Sequence, residues 1–340
     1  MIRLVLALAA LLFLAPIAEA ASFDCGKAAT SFEKAICSSP ELSQQDEILA
    51  QAYATALGGL SKVAAGEVKA TQHDWLGYAE RICSDDAEPI KGTYTDDQAL
   101  CLTGSFKGRV RALEASRMQG GYRFYPVGRY LVEKDTEATA DDYTKIADKQ
   151  YETVRIDRDD DIAKAFNAMI EAMRSDHPDL FETGTDKLAG GDVTEDILIT
   201  TTVDAVTDKR ISLVTDNYWF GHGAAHPNYG ISYKHFLVDA QRPLYASDIF
   251  SGKTWKAVLG KLVLDKLQGT LEDGVWEDSI KDVPDWSADP ARWNFSPEGL
   301  LVQFQPYEVT YYAAGAPAVT IPWDALSDIM ASGAEEIAAY

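Results

Sequence analysis

All four cysteines of the 340-residue chain, Cys25, Cys37, Cys83 and Cys101, fall in its first third. No other feature restricts the fold as much, because a covalent bridge dictates which segments are neighbours. Whether the cysteines pair depends on where the chain resides. It opens MIRLVLALAALLFLAPIAEAAS. Arg3 gives a basic start, Leu4 to Leu14 an apolar core, and Ala18-Glu19-Ala20 an A-x-A cleavage signal, the layout of a secretory leader. The apolar run is too short for a comfortable membrane span. No cysteine follows it where a lipid anchor would attach, and no later stretch is apolar enough to cross a bilayer. The sequence therefore predicts cleavage after Ala20 and an exported protein, periplasmic or secreted, with no membrane span once mature. There an even cysteine count predicts two disulfides. Three pairings exist, and the shorter loops favour Cys25–Cys37 and Cys83–Cys101. Without a C-x-x-C, and with His73 the nearest histidine, the cysteines do not read as a metal site.

Charge narrows the partners. The chain carries 53 acidic against 31 basic residues, net −22. That balance excludes a phosphate-binding face and hence nucleic acid. It suits a cationic partner through long-range steering, or serves solubility alone.

Residues 22–118 read as a helical unit. Thr30-Ser31-Phe32-Glu33 has capping-box spacing and starts a short helix ending near Cys37. Ser39-Pro40 supplies an N-cap and a proline at the first position of the next helix. Leu42, Leu49, Tyr53, Ala56 and Leu60 follow at helical spacing, and Gly58-Gly59 ends that helix. Val68, Trp75, Leu76, Ala79 and Ile82 mark a further apolar stripe; Leu102, Phe106, Val110 and Leu113 mark another. Residues 84–97 are polar, contain Pro89 and Gly92, and read as a loop. The stripes are core-forming patterns, and no catalytic pair stands out.

The block FDCGKAATSFEKAIC, then Pro40-Glu41-Leu42, Asp46, Gln72-His73-Asp74-Trp75, Cys83, Cys101-Leu102, Phe106, Arg109 and Leu113, resembles the N-terminal domain of the lysozyme inhibitor LprI family. Ala79 stands where that pattern would have an arginine. The resemblance implies an exported, disulfide-bonded helical module that binds lysozyme.

Gln119-Gly120-Gly121 separates this unit from residues 122–340, which divide into a leading segment, 122–185, and a sheet domain, 195–330. Phe124-Tyr125-Pro126 and Tyr130-Leu131-Val132 read as a first strand and Asp135 to Asp142 as a loop. Residues 150–156 alternate as a strand, and Asp161 to Met173 is an amphipathic helix. Ile197 to Val206, Ile211 to Trp219 and Tyr229 to Val238 form an antiparallel meander. Trp255 to Leu267 is predicted helical and Val275 to Ile280 a short second helix. Asp282 to Arg292 is predicted as loop, Leu300 to Phe304 and Val319 to Ile321 as the last strands, and Ala325 to Met330 as the start of a closing helix. Strands and helices segregate, so the fold class is α+β with a mostly antiparallel sheet behind the stapled helical bundle.

The stretch Tyr218 to Tyr229, YWFGHGAAHPNY, is the most shaped in the chain. Glycines flank His222, and Pro227 pushes His226 toward extended backbone. Tyr218-Trp219-Phe220-Gly221, Gly223-Ala224 and His226-Pro227 resemble the glycine-rich turn of the C-terminal domain of the RsiV family, a lysozyme-responsive anti-sigma factor domain also found beside some peptidoglycan deacetylases. Phe295, Gly299 to Phe304, Pro306-Tyr307-Glu308-Val309, Tyr312 to Gly315, Val319 to Trp323 and Leu326 are similar to that domain's end. His222 and Ala225 lengthen the turn.

His222 and His226 have the spacing of zinc ligands on a helix. Gly-His-Gly opposes a helix, however, and a third ligand would have to come from His235 or Asp239, so no metal is expected. Nor does any nucleophile partner His226, and no cofactor motif is present. A His-dependent hydrolase is thus the weakest reading, and the chain reads as a binding protein, not an enzyme. His226 belongs to the candidate partner-binding loop but is expected mainly to brace the turn from within, with Tyr218, Trp219 and His222 facing a partner. Tyr307, Glu308, Tyr311 and Tyr312 form a second expected surface, rich in tyrosine contact area. Alternation would turn one of Tyr311 and Tyr312 to the core, and Glu308 would meet a basic group. The partner so implied is a cationic protein such as lysozyme, bound and inhibited. The alternative is a cell-wall glycan or peptide, peptidoglycan, bound without inhibition.

Overall fold

The computed structural model describes residues 21–175 and 194–339. The leader assigned to residues 1–20 and part of the 122–185 segment lie outside the described residues.

Thr30 opens α1 (Ser31–Ser38) with the expected capping box: its hydroxyl accepts from the Glu33 N–H at 3.1 Å, and the Glu33 carboxylate accepts from the Thr30 N–H at 2.8 Å. Ser39 and Pro40 start α2 (Pro40–Leu57). Two long helices follow, α3 (Lys62–Ala79) and α4 (Asp96–Glu114). Their stripes close on Leu42, Leu49, Val68, Trp75, Leu102, Phe106 and Leu113, all buried, with Trp75 set edge-on to Phe106 at 5.2 Å. Leu76 departs from its predicted stripe and is exposed, because Gln72 and Tyr78 occupy the inward arc of α3. The disulfides are Cys25–Cys37 and Cys83–Cys101.

The second part is built on a seven-stranded sheet in sequence order: β1 (Met118–Gln119), β2 (Tyr122–Lys134), β3 (Ile146–Ile156), β4 (Glu195–Val206), β5 (Arg210–Gly221), β6 (Asn228–Leu237) and β7 (Arg242–Pro243). Neighbours are antiparallel except β3 and β4, which are parallel. A parallel pair needs a crossover, and the chain between them contains α5 (Asp161–Arg174). Phe166 of α5 meets Phe236 of β6 edge-to-face at 5.6 Å.

The C-terminal part adds α6 (Ala246–Ile249), α7 (Trp255–Thr270), α8 (Val283–Ser287), a three-stranded sheet of β8 (Trp293–Ser296), β9 (Gly299–Gln303) and β10 (Ala318–Pro322), then α9 (Trp323–Leu326) and α10 (Ala334–Ala338). Four expectations change here. Residues 275–280 hold only a 3-10 turn, 277–279. The predicted loop 282–292 contains α8, started by Pro284, and runs straight into the unforeseen strand β8. The closing helix breaks into α9, a 3-10 turn and α10. Gly299 is required by packing: a Cβ there would sit 2.1 Å from the Ile321 carbonyl oxygen across the β9–β10 ladder.

Register fixes how the parts meet. Gln150 lies opposite Leu198, Leu198 opposite Tyr218, and Tyr218 opposite Tyr229. These residues therefore share one face of the large sheet, which by alternation also carries His235. Tyr78 of the bundle bonds to Gln150 on that face, and His235 bonds to the Trp293 carbonyl of the small sheet. The bundle and the C-terminal part thus cover opposite ends of one face, with the middle of β4 to β6 lying between them, while α5 packs against Phe236 on the other face.

Each disulfide closes a loop of 12 or 18 residues, a constraint worth about 3 kcal/mol. Replacing Cys83 and Cys101 together by serine is expected to lower the unfolding free energy of the bundle by about 2–4 kcal/mol in urea titrations of the non-reduced protein.

Candidate functional site

The hairpin joining β5 to β6 carries both histidines of the shaped loop. Gly223 has φ +80°, a conformation that glycine adopts without a Cβ penalty. The two histidines exchange the roles expected of them. His222, expected to face a partner, is the internal brace: its side chain is 7% exposed, with Nδ1 2.6 Å from Asp135 Oδ2 and Nε2 3.3 Å from Asp196 Oδ1. Burial pulls its pKa down, but the hydrogen bonds and charges of the two carboxylates outweigh this and raise it. Burial also opposes ionisation of Asp135, yet His222 and the Glu137 and Ala138 N–H groups hold its pKa below the usual range. The pocket for this ring is made by the loop after β2, which is distant in sequence.

His226, expected to be the brace, is exposed. Its Nδ1–H donates to the Pro227 carbonyl at 2.8 Å, and Nε2 accepts from the Tyr307 hydroxyl at 3.1 Å. Its ring stacks on Tyr312 at 4.0 Å, and Tyr307 stacks on Tyr312 at 5.3 Å. Tyr312 also donates to the Pro227 carbonyl, and Tyr229 meets Tyr312 edge-on at 6.2 Å. Both ring nitrogens of His226 are therefore committed to holding an aromatic rim.

The second expected surface is rearranged too. Tyr311 and Tyr312 stand in a loop and a 3-10 turn, not a strand, so alternation does not govern them. Tyr311 is exposed, whereas Tyr312 is the centre of the stack. Glu308 is not free for a partner: Arg292 grips both its oxygens at 2.6 Å, and the Gln305 N–H donates to it. The Gln305 side-chain amide in turn pairs with both the N–H and the carbonyl of Ile231, each at 2.8 Å, and so covers part of the open edge of β6. Tyr218 and Trp219 are both exposed but point to opposite faces of β5. The structure thus gathers His226, Tyr307, Tyr312 and Tyr229 into one rim beside Tyr218. Trp219 is left on the reverse face, held by the Glu195 carboxylate.

A second constellation lies under the bundle on the same sheet face. Arg109 of α4 is 2% exposed. It donates from Nε to Gln72 Oε1 at 2.9 Å and from Nη1 to the Tyr130 hydroxyl at 2.8 Å, and Tyr130 donates to Glu152 at 2.6 Å. Beside it the Tyr78 hydroxyl donates to Asp148 at 3.0 Å, and Gln150 donates to both. Burial, with the charge of Asp196 added, pushes the Asp148 carboxyl up to about 7 despite the bonds from Gln150 and Tyr78. Burial likewise raises Glu152, against Tyr130 and Arg109. The polar alternation of 150–156 placed Gln150 and Glu152 on one face. What sequence could not supply was the bundle that buries that face. Asp196 joins the constellations, since its Oδ1 also accepts from the Asp148 N–H at 2.8 Å. Among the described residues no group of three His, Cys, Asp or Glu is placed to hold a metal ion, and no helix is long and apolar enough to cross a membrane.

Residues 25–119 match the family described as "Lysozyme inhibitor LprI", and residues 247–324 match one described as "Protein of unknown function (DUF3298)". The first match covers the segment with the cysteine and helix pattern, the second the end of the sheet domain, so the two-part resemblance holds. The shaped loop at 218–229 falls between the matched segments, while Tyr307 to Tyr312 falls inside the second. Among solved structures, a DUF3298 family member from Bacteroides fragilis is 14% identical, covering 63% of this chain and 96% of its own, with a TM-score of 0.45. A DUF3298 family protein from Pseudomonas aeruginosa is 12% identical, covering 65% and 98%, with a TM-score of 0.41. No curated protein matches. The disulfides and the LprI match fit an extracytoplasmic protein.

Two substitutions probe this site. His222→Gln is expected to cost about 3 kcal/mol near pH 6, because it leaves the buried Asp135 without its cation. His222 is raised in the fold, so its contribution is complete below its unfolded pKa and is lost as pH rises through the folded value. The stability gap between wild type and His222→Gln should therefore shrink as melts are taken from pH 6 toward pH 9. Asp148 is also raised but is an acid: the wild type loses stability as pH climbs from the unfolded value toward about 7. Asp148→Asn should remove that loss and gain about 1–3 kcal/mol at pH 8, measured by denaturant unfolding at pH 5 and pH 8.

Proposed function

We propose that this is an exported binding protein that engages lysozyme-like muramidases and inhibits them by covering their cleft. One observation carries the reading: residues 25–119 match a family described as a lysozyme inhibitor. Three further features support it. The net charge of −22 would steer a cationic partner toward the protein. The rim of Tyr218, Tyr229, Tyr307 and Tyr312, with His226 stacked among them, offers tyrosine contact area of the kind found at binding hot spots. Both nitrogens of His226 are engaged in building that rim, which favours a gripping role over a catalytic one. The leader at residues 1–20, cut after Ala20, would deliver the protein to the periplasm or outside the cell, where the disulfides form.

The test is muramidase turnover with purified mature protein across salt concentrations. Inhibition is expected at low ionic strength and should weaken by about 0.5 M salt as steering is screened. Tyr218→Ala with Tyr229→Ala should raise Kd at least about tenfold without lowering the melting temperature much, since both rings are exposed. Neither binding nor inhibition at micromolar protein, for lysozymes of different classes, would overturn the proposal.

A further inference from the structure

The space between the bundle and the large sheet is a cleft of 560 Å³, within the range of small-molecule sites, about 300–1,000 Å³. Its roof is α4, and the side chains there are small or missing: Gly104, Ser105, Gly108 and Ala112 face the cleft. A Cβ on Gly104 would meet nothing within 4 Å, and one on Gly108 only the end of the Arg111 side chain at 3.8 Å. Two interior helix glycines that no contact demands cost about 1 kcal/mol each relative to alanine. Their effect here is to keep the cleft open.

The cleft contains polar groups that folding leaves unsatisfied. Arg109 is almost wholly buried, and its Nη2 has no hydrogen-bond partner among the described residues. The same is true of the buried Ser105 hydroxyl oxygen, and both residues line the space. A buried donor without an acceptor costs about 1–3 kcal/mol, so two on the wall of one cleft call for an occupant with oxygen atoms. Acceptors are present as well: Glu152 accepts from Tyr130, leaving further lone pairs on a carboxylate that has about four acceptor positions. Groups of both kinds stand on the lining, Arg109 and Arg111 as donors and Asp148 and Glu152 as acids that burial makes reluctant to ionise, so the wall offers donors and acceptors together. The rings of Tyr78 and Tyr130 complete the wall.

We infer that this cleft binds a small neutral polyhydroxylated ligand of one or two sugar rings, with Arg109 and Ser105 donating to its oxygens and Glu152 accepting from its hydroxyls. A neutral saccharide offers donors and acceptors around one rim and C–H faces for the tyrosines, which suits a lining of mixed donors and acceptors. The site is separate from the aromatic rim, and the inference does not rest on muramidase binding.

Calorimetric titration of the full-length mature protein tests it, with cellobiose and N,N′-diacetylchitobiose as saccharide probes and sodium acetate and glycine as ionic ones. At least one disaccharide is expected to bind with Kd on the order of 0.1–1 mM, and acetate and glycine are not. Gly108→Leu fills the cleft from a helix position that gains propensity. It should keep or raise the melting temperature and weaken the disaccharide at least about tenfold. Ser105→Ala should weaken it several-fold with the fold intact. Absence of saturable heat with both disaccharides overturns the inference, as does disaccharide binding unchanged in Gly108→Leu. Saturable binding of acetate or glycine instead of the sugars also overturns it, by marking the cleft as an ionic site.

Discussion

The buried guanidinium of Arg109 is the interaction around which the architecture is arranged. A cation carried into a helix–sheet interface is destabilising unless it is bonded on several sides. Here Gln72 of α3 takes Nε, and Tyr130 of β2 takes Nη1 and relays to Glu152 of β3. Two helices and two strands are therefore fixed to one side chain. Tyr78, Asp148 and Gln150 repeat the arrangement one step along the same sheet face. An apolar bundle could slide on an apolar sheet; these directional bonds set one docking position.

That docking extends to the far hairpin. Asp196 accepts from the Asp148 backbone under the bundle and from His222 in the β5–β6 turn, and His222 reaches on to Asp135 in the loop after β2. The turn that carries the aromatic rim is thus anchored through carboxylates to the interface beneath the bundle. Asp148 and His222 are both raised but for different reasons: burial, with the charge of Asp196 added, disfavours ionisation of the acid, while two neighbouring carboxylates favour the charged form of the histidine.

The sheet face has two working regions. At one end the bundle stands off behind small residues and encloses polar groups. At the other, the 305–315 loop of the C-terminal part brings Tyr307 and Tyr312 onto His226 and Tyr229. The seven-stranded sheet holds both at fixed separation, and the middle of β4 to β6 runs between them.

Much of this was legible in the sequence, for local reasons. The capping box at Thr30, the Ser-Pro helix start, the cysteine spacing and the alternation of 150–156 are set by neighbours a few residues apart, and the α+β class follows from their order. The apolar stripes located the bundle core, though not that Leu76 would lie outside it and Gln72 inside. What tertiary structure alone decided was which side chains become partners across long separations. His222 and His226 lie four residues apart in one loop, and it is Asp135, 87 residues away, and Tyr307, 81 away, that make one the brace and the other part of the surface. Glu308 read as an open acceptor until Arg292 closed on it. Local sequence sets backbone preference and periodicity; the charge state and exposure of a side chain depend on what packs against it, and that is settled only when the distant segments meet.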